Sequence, residues 1–511
     1  MKNKIVNWLF IAVCLTTIFG CGGDSSKSTA AQDLIDNTLP PVTGTTETGG
    51  SVALLEGLSD LGDLVSPEGD HWYFSTSSFI HNNGRIIGQS NRGWPTKAAF
   101  LWDPATSLME FLGIHSGIYN DYYNQKIINP VDPPYGFIYS EAVDLNADNV
   151  VICNSLAGTD ADKLEKRAFV WFDGEIIDLP PILDQYLGGE ILDEDENFKP
   201  KIRSFSEAID INEQGEIVLT AEDATGRHAY YWDGFSYKEI TLARDDETTF
   251  DLTVPSYKLL GGIVGQDSAP VGINENGQAV INSGNTAVFH DLNWGVVETL
   301  NYLPGASKTV AVDINDSAFT NNDNIPDGHI IGNSGNGSLA ISDDNTVRGF
   351  FWDGGAMYPV DHLGGGTSVT TDINNSDQVV GAATTDSGSY HAYIWTLDPV
   401  TEKGVMMDLG TLGGDNSFAT AINESGQVTG WAETGEFYNE EDVVVPIRHA
   451  FLWRDGVMYD LGTHSDFYDY PFIPSFPFST GVDINDSGEV TGSSFTINNH
   501  HRGFQLTPVF P

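Results

Sequence analysis

The chain has 511 residues, with 72 Asp and Glu against 23 Lys and Arg, a formal charge of −49. That excess repels phosphate backbones and anionic lipid surfaces, so nucleic acid is not expected as a partner, and polyanionic glycans need a local basic groove or bridging cations. Hydrophobic residues are 40% and aromatics 11%, which excludes a disordered chain.

At the N-terminus, Lys2 and Lys4 precede an apolar run from Ile5 to Phe19, too short to span a bilayer comfortably. The run ends Ile18-Phe19-Gly20-Cys21-Gly22, which resembles a bacterial lipobox. The resemblance implies a signal peptide over 1–20 and lipid modification of Cys21 as the first mature residue. Gly22, rather than Asp, after it favours the outer membrane, on its periplasmic or surface face. Removing 1–20 takes away two lysines and no acids, so the mature charge is −51. Residues 21–52 are polar, rich in Thr, Ser and Gly, and read as a flexible tether. Beyond Cys14 and Cys21 only Cys153 remains, in the strand pattern Val150-Val151-Ile152-Cys153, where a buried inert thiol is expected.

Residues 53–511 carry one unit eight times. Its first feature is a turn: Ile80-His81-Asn82-Asn83-Gly84, Leu145-Asn146-Ala147-Asp148-Asn149, Ile211-Asn212-Glu213-Gln214-Gly215 and Ile273-Asn274-Glu275-Asn276-Gly277 are the first four copies. Ile314-Asn315-Asp316 follows, with an insertion before Gly328, then Ile373 to Asp377, Ile422 to Gly426 and Ile484 to Gly488. An Asn side chain at the turn's start can bond the backbone two residues on. The last position needs a left-handed conformation, open to Gly and next best to Asn or Asp, which accounts for Asn149 and Asp377. An apolar β-rich run follows each turn, so each is read as a hairpin with its Asn residues as caps.

A short aromatic strand headed by a small residue comes next, as in Ala99-Phe100-Leu101-Trp102 or Ala450-Phe451-Leu452-Trp453. Asp-Gly turns at 173–174, 233–234, 353–354 and 455–456 lead into a fourth strand carrying Asp-Leu-Gly or a relative of it. Four antiparallel strands per unit, with turns about 41 to 66 residues apart, give an all-β fold: a single β-propeller of eight four-stranded blades, or seven if the weak fourth unit merges. The eighth unit lacks its fourth strand, and Leu58-Ser59-Asp60-Leu61-Gly62 is an unpaired copy of one. The N-terminal strand is therefore expected to close the ring and hide two sheet edges.

The strings at 421–430, 449–453 and 408–414 resemble the HAF family of bacterial extracellular repeats, over about residues 58–506. The resemblance implies export and a β-propeller-like fold, and carries no catalytic residues to transfer.

Candidate chemistry is sparse. His228, His391 and His449 occupy equivalent positions where other units have Arg167, Arg348 and Arg502, and read as a repeated structural site. The insertion Asn321-Asn322-Asp323-Asn324-Ile325-Pro326-Asp327-Gly328 resembles thrombospondin-type calcium loops, which implies Asn321, Asp323 and Asp327 as oxygen ligands for Ca²⁺. Propeller polysaccharide lyases use His, Tyr and Arg, for which His81, His115, Tyr119 and Arg85 are the candidates, with His71 and Arg92 nearby in sequence. Tyr119, Tyr122, Tyr123 and Tyr135, and six aromatics from Phe467 to Phe478, fill the longer inserts as glycan or protein contacts. The expected function is that of a monomeric, surface-anchored binding or interaction module. Its alternative is a carbohydrate-active enzyme, a lyase, on the same ring.

Overall fold

The computed structural model describes residues 58–508 and two short strands ahead of them, less a few single residues and the connections 62–73, 94–95, 114–138, 158–164, 180–190, 193–197, 200–204, 244–248, 318–327, 340–346, 441–442, 464–477 and 496–500. Among these residues every element is a strand, and the strands make eight antiparallel blades of four. In the seventh the order is Ser417–Ile422, Val428–Glu440, Val443–Arg454 and Val457–Asp460. The weak fourth unit is a full blade of its own, Ser268–Ile273, Gln278–Ser283, Thr286–Asp291 and Val297–Thr299.

Leu58–Asp60 supplies the missing edge of the eighth blade, pairing antiparallel with His501–Leu506 through Leu58 opposite Leu506. The fold is a β-propeller closed by its N-terminal strand. Two features are additions to the repeat. In the third blade the last strand is only Lys258–Leu259, preceded by a separate hairpin of Tyr237–Ala243 with Thr249–Pro255. Upstream, the hairpin Thr43–Thr45 with Ser51–Leu54 adds a parallel strand to the outer edge of the seventh blade, Ser51 opposite Val457.

Each turn behaves as its residues require. Gly84, Gly215, Gly277, Gly426 and Gly488 have φ between 69° and 81°, and Asn149 and Asp377 take their place at 64° and 58°. The four Asp-Gly turns fall into two kinds. Asp173-Gly174 and Asp455-Gly456 are left-handed at both residues, as a two-residue hairpin demands. At Asp233-Gly234 and Asp353-Gly354 only the Gly is left-handed. There the Asp carboxylate instead accepts the amides of Ser236 (2.6 Å) and Ala356 (2.7 Å), an Asx cap that leaves the Asp backbone unstrained.

A β-bulge interrupts the first strand of every blade, at Ser77/Phe79, Ala142/Asp144, Ala208/Asp210, Pro270/Gly272, Ala311/Asp313, Thr370/Asp372, Ala419/Ala421 and Gly481/Asp483. Strict alternation would turn the residue before the turn's Ile inward to the core. The extra residue turns two successive side chains to the same side, as Val143 and Asp144 show, and then returns Leu145 to the core. These first strands pack against one another around the axis, while the fourth strands are exposed, as in Val297–Thr299. The bulged side chains therefore line an axial channel.

Apolar side chains from neighbouring blades fill the spaces between sheets; one cluster joins Val380, Ile394 and Leu409 to Ile422, Phe451 and Trp453. Small residues mark the tightest approaches. A Cβ on Gly492 would strike the carbonyl of Thr480 on the strand beside it, and lie 2.7 Å from the Phe504 ring that occupies the space above. Cys153 holds the equivalent position in the second blade, fully buried, where burial pushes its thiol well up.

Candidate functional site

On one face of the ring, here the mouth face, the eight turns meet, seven headed by Asn and the first by His81. Each Asn caps its own turn as expected: Asn423 Oδ1 accepts the amides of Ser425 (3.1 Å) and Gln427 (2.9 Å). Its Nδ2 does something the sequence did not suggest, donating to the carbonyl of Asn485 in the next blade at 2.9 Å. The same bond runs from Asn146 to Asn212, to Asn274, to Asn315, to Asn374 and to Asn423, at 2.9 to 3.4 Å. Asn485 completes the circuit onto the His81 carbonyl at 3.3 Å. Seven of the eight junctions are tied this way.

A second belt uses the following residue. Its amide donates to the side chain of its counterpart one blade on: Ala147 to Glu213 (2.7 Å), Glu213 to Glu275 (3.1 Å), Glu275 to Asp316 (2.6 Å) and Asp316 to Asn375 (2.7 Å). Asn375 to Glu424, Glu424 to Asp486 and Asp486 to Asn82 continue it at 3.1, 3.1 and 2.9 Å. Five carboxylates thus ring the mouth. Burial, with the charges of Asp316 and Glu213, raises Glu275 above its ordinary range, and burial with Asp486 and Asp316 raises Glu424.

Two residues deeper, Asp144, Asp210, Asp313, Asp372 and Asp483 line the channel, partly open to it yet enclosed by the ring. Four of them bridge strands, while Asp313 accepts only its own neighbour Ile314 among the backbone amides, at 2.7 Å. Asp210 accepts its neighbour Ile211 (3.0 Å) and, one blade on, Ile273 (2.7 Å); Asp372 and Asp483 likewise reach Ile422 (2.7 Å) and Ile80 (2.9 Å). The Ile211 amide donates to both Asp210 and, at 3.3 Å, Asp144. Desolvation, then the neighbouring carboxylate, pushes Asp144 and Asp313 far up, and desolvation raises Asp210 and Asp372. Asp483 is pushed up to about 6 by burial. Among the described residues no three His, Cys, Asp or Glu converge as a metal site.

His81 is a turn cap with an unusual reach. Its Nδ1 accepts the Asn83 amide at 3.1 Å, doing the work of an Asn oxygen, which leaves the proton on Nε2 to donate to Glu213 at 2.9 Å. Arg85, four residues on, turns away to Asp103 at 2.9 Å, and that guanidinium holds Asp103 below the usual carboxylate range. The two side chains do not share a site. His391 and His449 each pair with the Asp of the Asp-Leu-Gly strand, Asp408 and Asp460, at 2.9 Å, and Arg502 faces Asp60 of the closing strand at 3.9 Å. His228 instead meets Thr225 at 2.8 Å. Their position is structural and they do not converge. Cys21, His71, His115, Tyr119, Asn321, Asp323 and Asp327, and the tyrosine- and phenylalanine-rich inserts apart from Phe478, lie outside the described residues.

The opposite face is where the second strand turns into the third and where each blade hands over to the next, so the chain leaves and re-enters here around most of the long inserts. One motif repeats on this side. A Ser at the head of the first strand accepts the amide of the preceding blade's small residue and donates to the carbonyl at the end of its last strand. Ser479 does so with Ala450 (2.8 Å) and Gly462 (2.5 Å), and Ser206 with Ala168 (3.0 Å) and Leu179 (2.8 Å). A second position, two residues before the small head of the third strand, holds a cation in some blades only. Arg448 lies 4.2 Å over the ring of Trp431, which stacks on Phe418. Arg227 lies 3.6 Å over Phe205 and Lys97 4.4 Å over Phe74.

No protein-family model matches the chain, and no curated protein does. Solved structures match at low similarity. The β-propeller domain of the Trilobed protease from Pyrococcus furiosus is 10% identical with a TM-score of 0.37, covering 72% of this chain and 93% of that one. Aleuria aurantia lectin is 9% identical with a TM-score of 0.28, covering 66% and 95%. Trypanosoma rangeli sialidase is 8% identical with a TM-score of 0.29, covering 89% of this chain and 60% of that one. These are likenesses of this chain to other proteins and carry neither their ligands nor their reactions over to it.

Proposed function

We propose that the protein is a lipid-anchored binding module of the bacterial envelope, built on HAF-type repeats, that engages its ligand with the insert-bearing face. The observation that supports this is a division of labour between the two faces. On the mouth face the repeated polar side chains are spent on circumferential hydrogen bonds. On the other, three cations of an acidic protein, Lys97, Arg227 and Arg448, rest on aromatic rings at a repeat position that other blades fill with Asn285, Val347 or Tyr390. Aromatic planes beside cations suit an extended polar ligand such as a glycan or a protein loop.

A panel of oligosaccharides and envelope proteins, screened against the mature chain, tests the assignment. A ligand lost on Trp431→Ala and kept on Glu424→Gln is the expected result; the opposite pattern overturns the choice of face. The enzymatic alternative is read in the same panel by absorbance at 235 nm. New unsaturated ends, lost in His115→Ala, would replace the binding assignment with a lyase.

A further inference from the structure

Both mouth belts fail at the same place. Between the first and second blades His81 stands where the first belt has Asn, and no side chain crosses from it to the Asn146 carbonyl. Ala147 stands where the second belt has a side-chain acceptor, so the Asn82 amide has none to reach. The inner wall supplies no substitute, an omission this junction shares with those after Gly272, Asp313 and Ala421. Phe79 replaces the bridging Asp, and Leu145 receives only its own Asp144 at 2.8 Å, whereas the equivalent Ile80 receives the preceding blade's Asp483.

What replaces these ties is a single carboxylate on the third blade. Glu213 Oε1 accepts the first blade through His81 Nε2 at 2.9 Å, and its Oε2 accepts the second blade through the Ala147 amide at 2.7 Å. Its side chain is 42% exposed while that of His81 is 10%. Farther from the mouth the junction is firmly held. Ser78 Oγ donates to the Ala142 carbonyl (3.2 Å), Gln89 Nε2 to the Ser140 carbonyl (3.1 Å), and the Ala99 amide to Ser140 Oγ (2.9 Å). Lys97 and Tyr139 pair across it, and one core cluster joins Ile87, Ala99 and Leu101 to Ala142, Leu145 and Val151.

We infer that this junction is the gate of the ring. It parts at the mouth, pivoting on the Ser78–Gln89–Ser140 half, and Glu213 is the latch that holds both lips. Opening there breaks one mouth hydrogen bond, from His81 Nε2 to a half-exposed carboxylate that stays with the second and third blades, whereas any other junction must break both belts.

Native-state hydrogen exchange on the mature chain tests the gate with matched amides. Asn146, Asn149 and Val150 make the same local bonds as Asn423, Gly426 and Gln427 in the seventh blade. The first set is expected to show protection factors about tenfold lower, the loss of roughly one to two net hydrogen bonds. Equal protection overturns the gate. Glu213→Gln, which keeps one acceptor but turns a donor toward its partners, lowers the first set several-fold further and leaves the second unchanged. An equal fall in both sets reduces Glu213 to a general stabilising role and overturns the latch. Finally, His81→Asn with Ala147→Asp restores both belts and brings the two sets together; if the gap persists, the missing belts are not its cause.

Discussion

Asn485 and His81 are 404 residues apart in sequence, and the Nδ2 of one donates to the carbonyl of the other at 3.3 Å. This bond joins the last blade to the first with the same device that joins the second to the third. Asn485→Ala removes that donor and uncaps the amides of Ser487 and Glu489, bonded at 3.1 and 2.9 Å. A loss of about 2–4 kcal/mol is expected from denaturant titration. Asn485→Asp keeps both caps and loses only the donor, so it is expected to cost less than the Ala variant, and the difference separates turn from tie.

The inner carboxylates make the ring acid-tolerant. Asp483, raised to about 6, binds a proton in the native state at pH values where the unfolded carboxyl has already lost it. Its contribution is therefore greatest below about pH 4, declines as pH rises toward 6 and is level above that, with a span of at most about 3 kcal/mol. The other four Asp act in the same direction. Urea titrations between pH 4 and 7 are expected to show this decline reduced in Asp483→Asn. The slope, rather than the level, is the readout, since Asn also gives up one acceptor.

Gly492→Ala puts a methyl against the Thr480 carbonyl and the Phe504 ring, both fixed by the sheet. Overpacking of this kind is expected to cost on the order of 2–4 kcal/mol. Gly174→Ala meets nothing within 4 Å, so its cost is only the left-handed backbone at φ 82°. Thermal melts should place it well above Gly492→Ala.

Two expectations from the N-terminus and the fifth unit have direct tests. Cys21→Ser is expected to release the protein from the membrane fraction, and full retention would overturn the anchor. EDTA is expected to lower the melting temperature if Asn321, Asp323 and Asp327 hold calcium; an unchanged melt sinks that site.

The turns were legible because a left-handed residue admits few side chains, so Gly, Asn149 and Asp377 betray the backbone directly. The closing strand was legible because an unpaired Asp-Leu-Gly at one end matched a missing one at the other. The cap of Asn423 is local and legible, but its tie ends on a backbone carbonyl a whole blade away, which leaves no residue-type signature. The inner Asp residues passed unremarked although Asp-Ile-Asn or Asp-Leu-Asn occurs in five units. Without the bulge, which cannot be read from residue types, an Asp in that register looks like a solvated strand position. Ser206 and its equivalents were missed because a Ser at the head of a strand is ordinary. His81 has no residue-type signal for its cap, in which Nδ1 accepts the Asn83 amide as an asparagine oxygen would.

The closing strand has a mechanical consequence. The chain upstream of Leu58 leads into the outer edge of the eighth blade, where Leu58, Ser59 and Asp60 pair with Leu506, Gln505 and Phe504. Before that it runs along the outer edge of the seventh, where Ser51–Leu54 pairs with Val457–Asp460. A pull on the N-terminal end therefore meets the four-residue parallel pairing on the seventh blade first and reaches the closing strand of the eighth only through it.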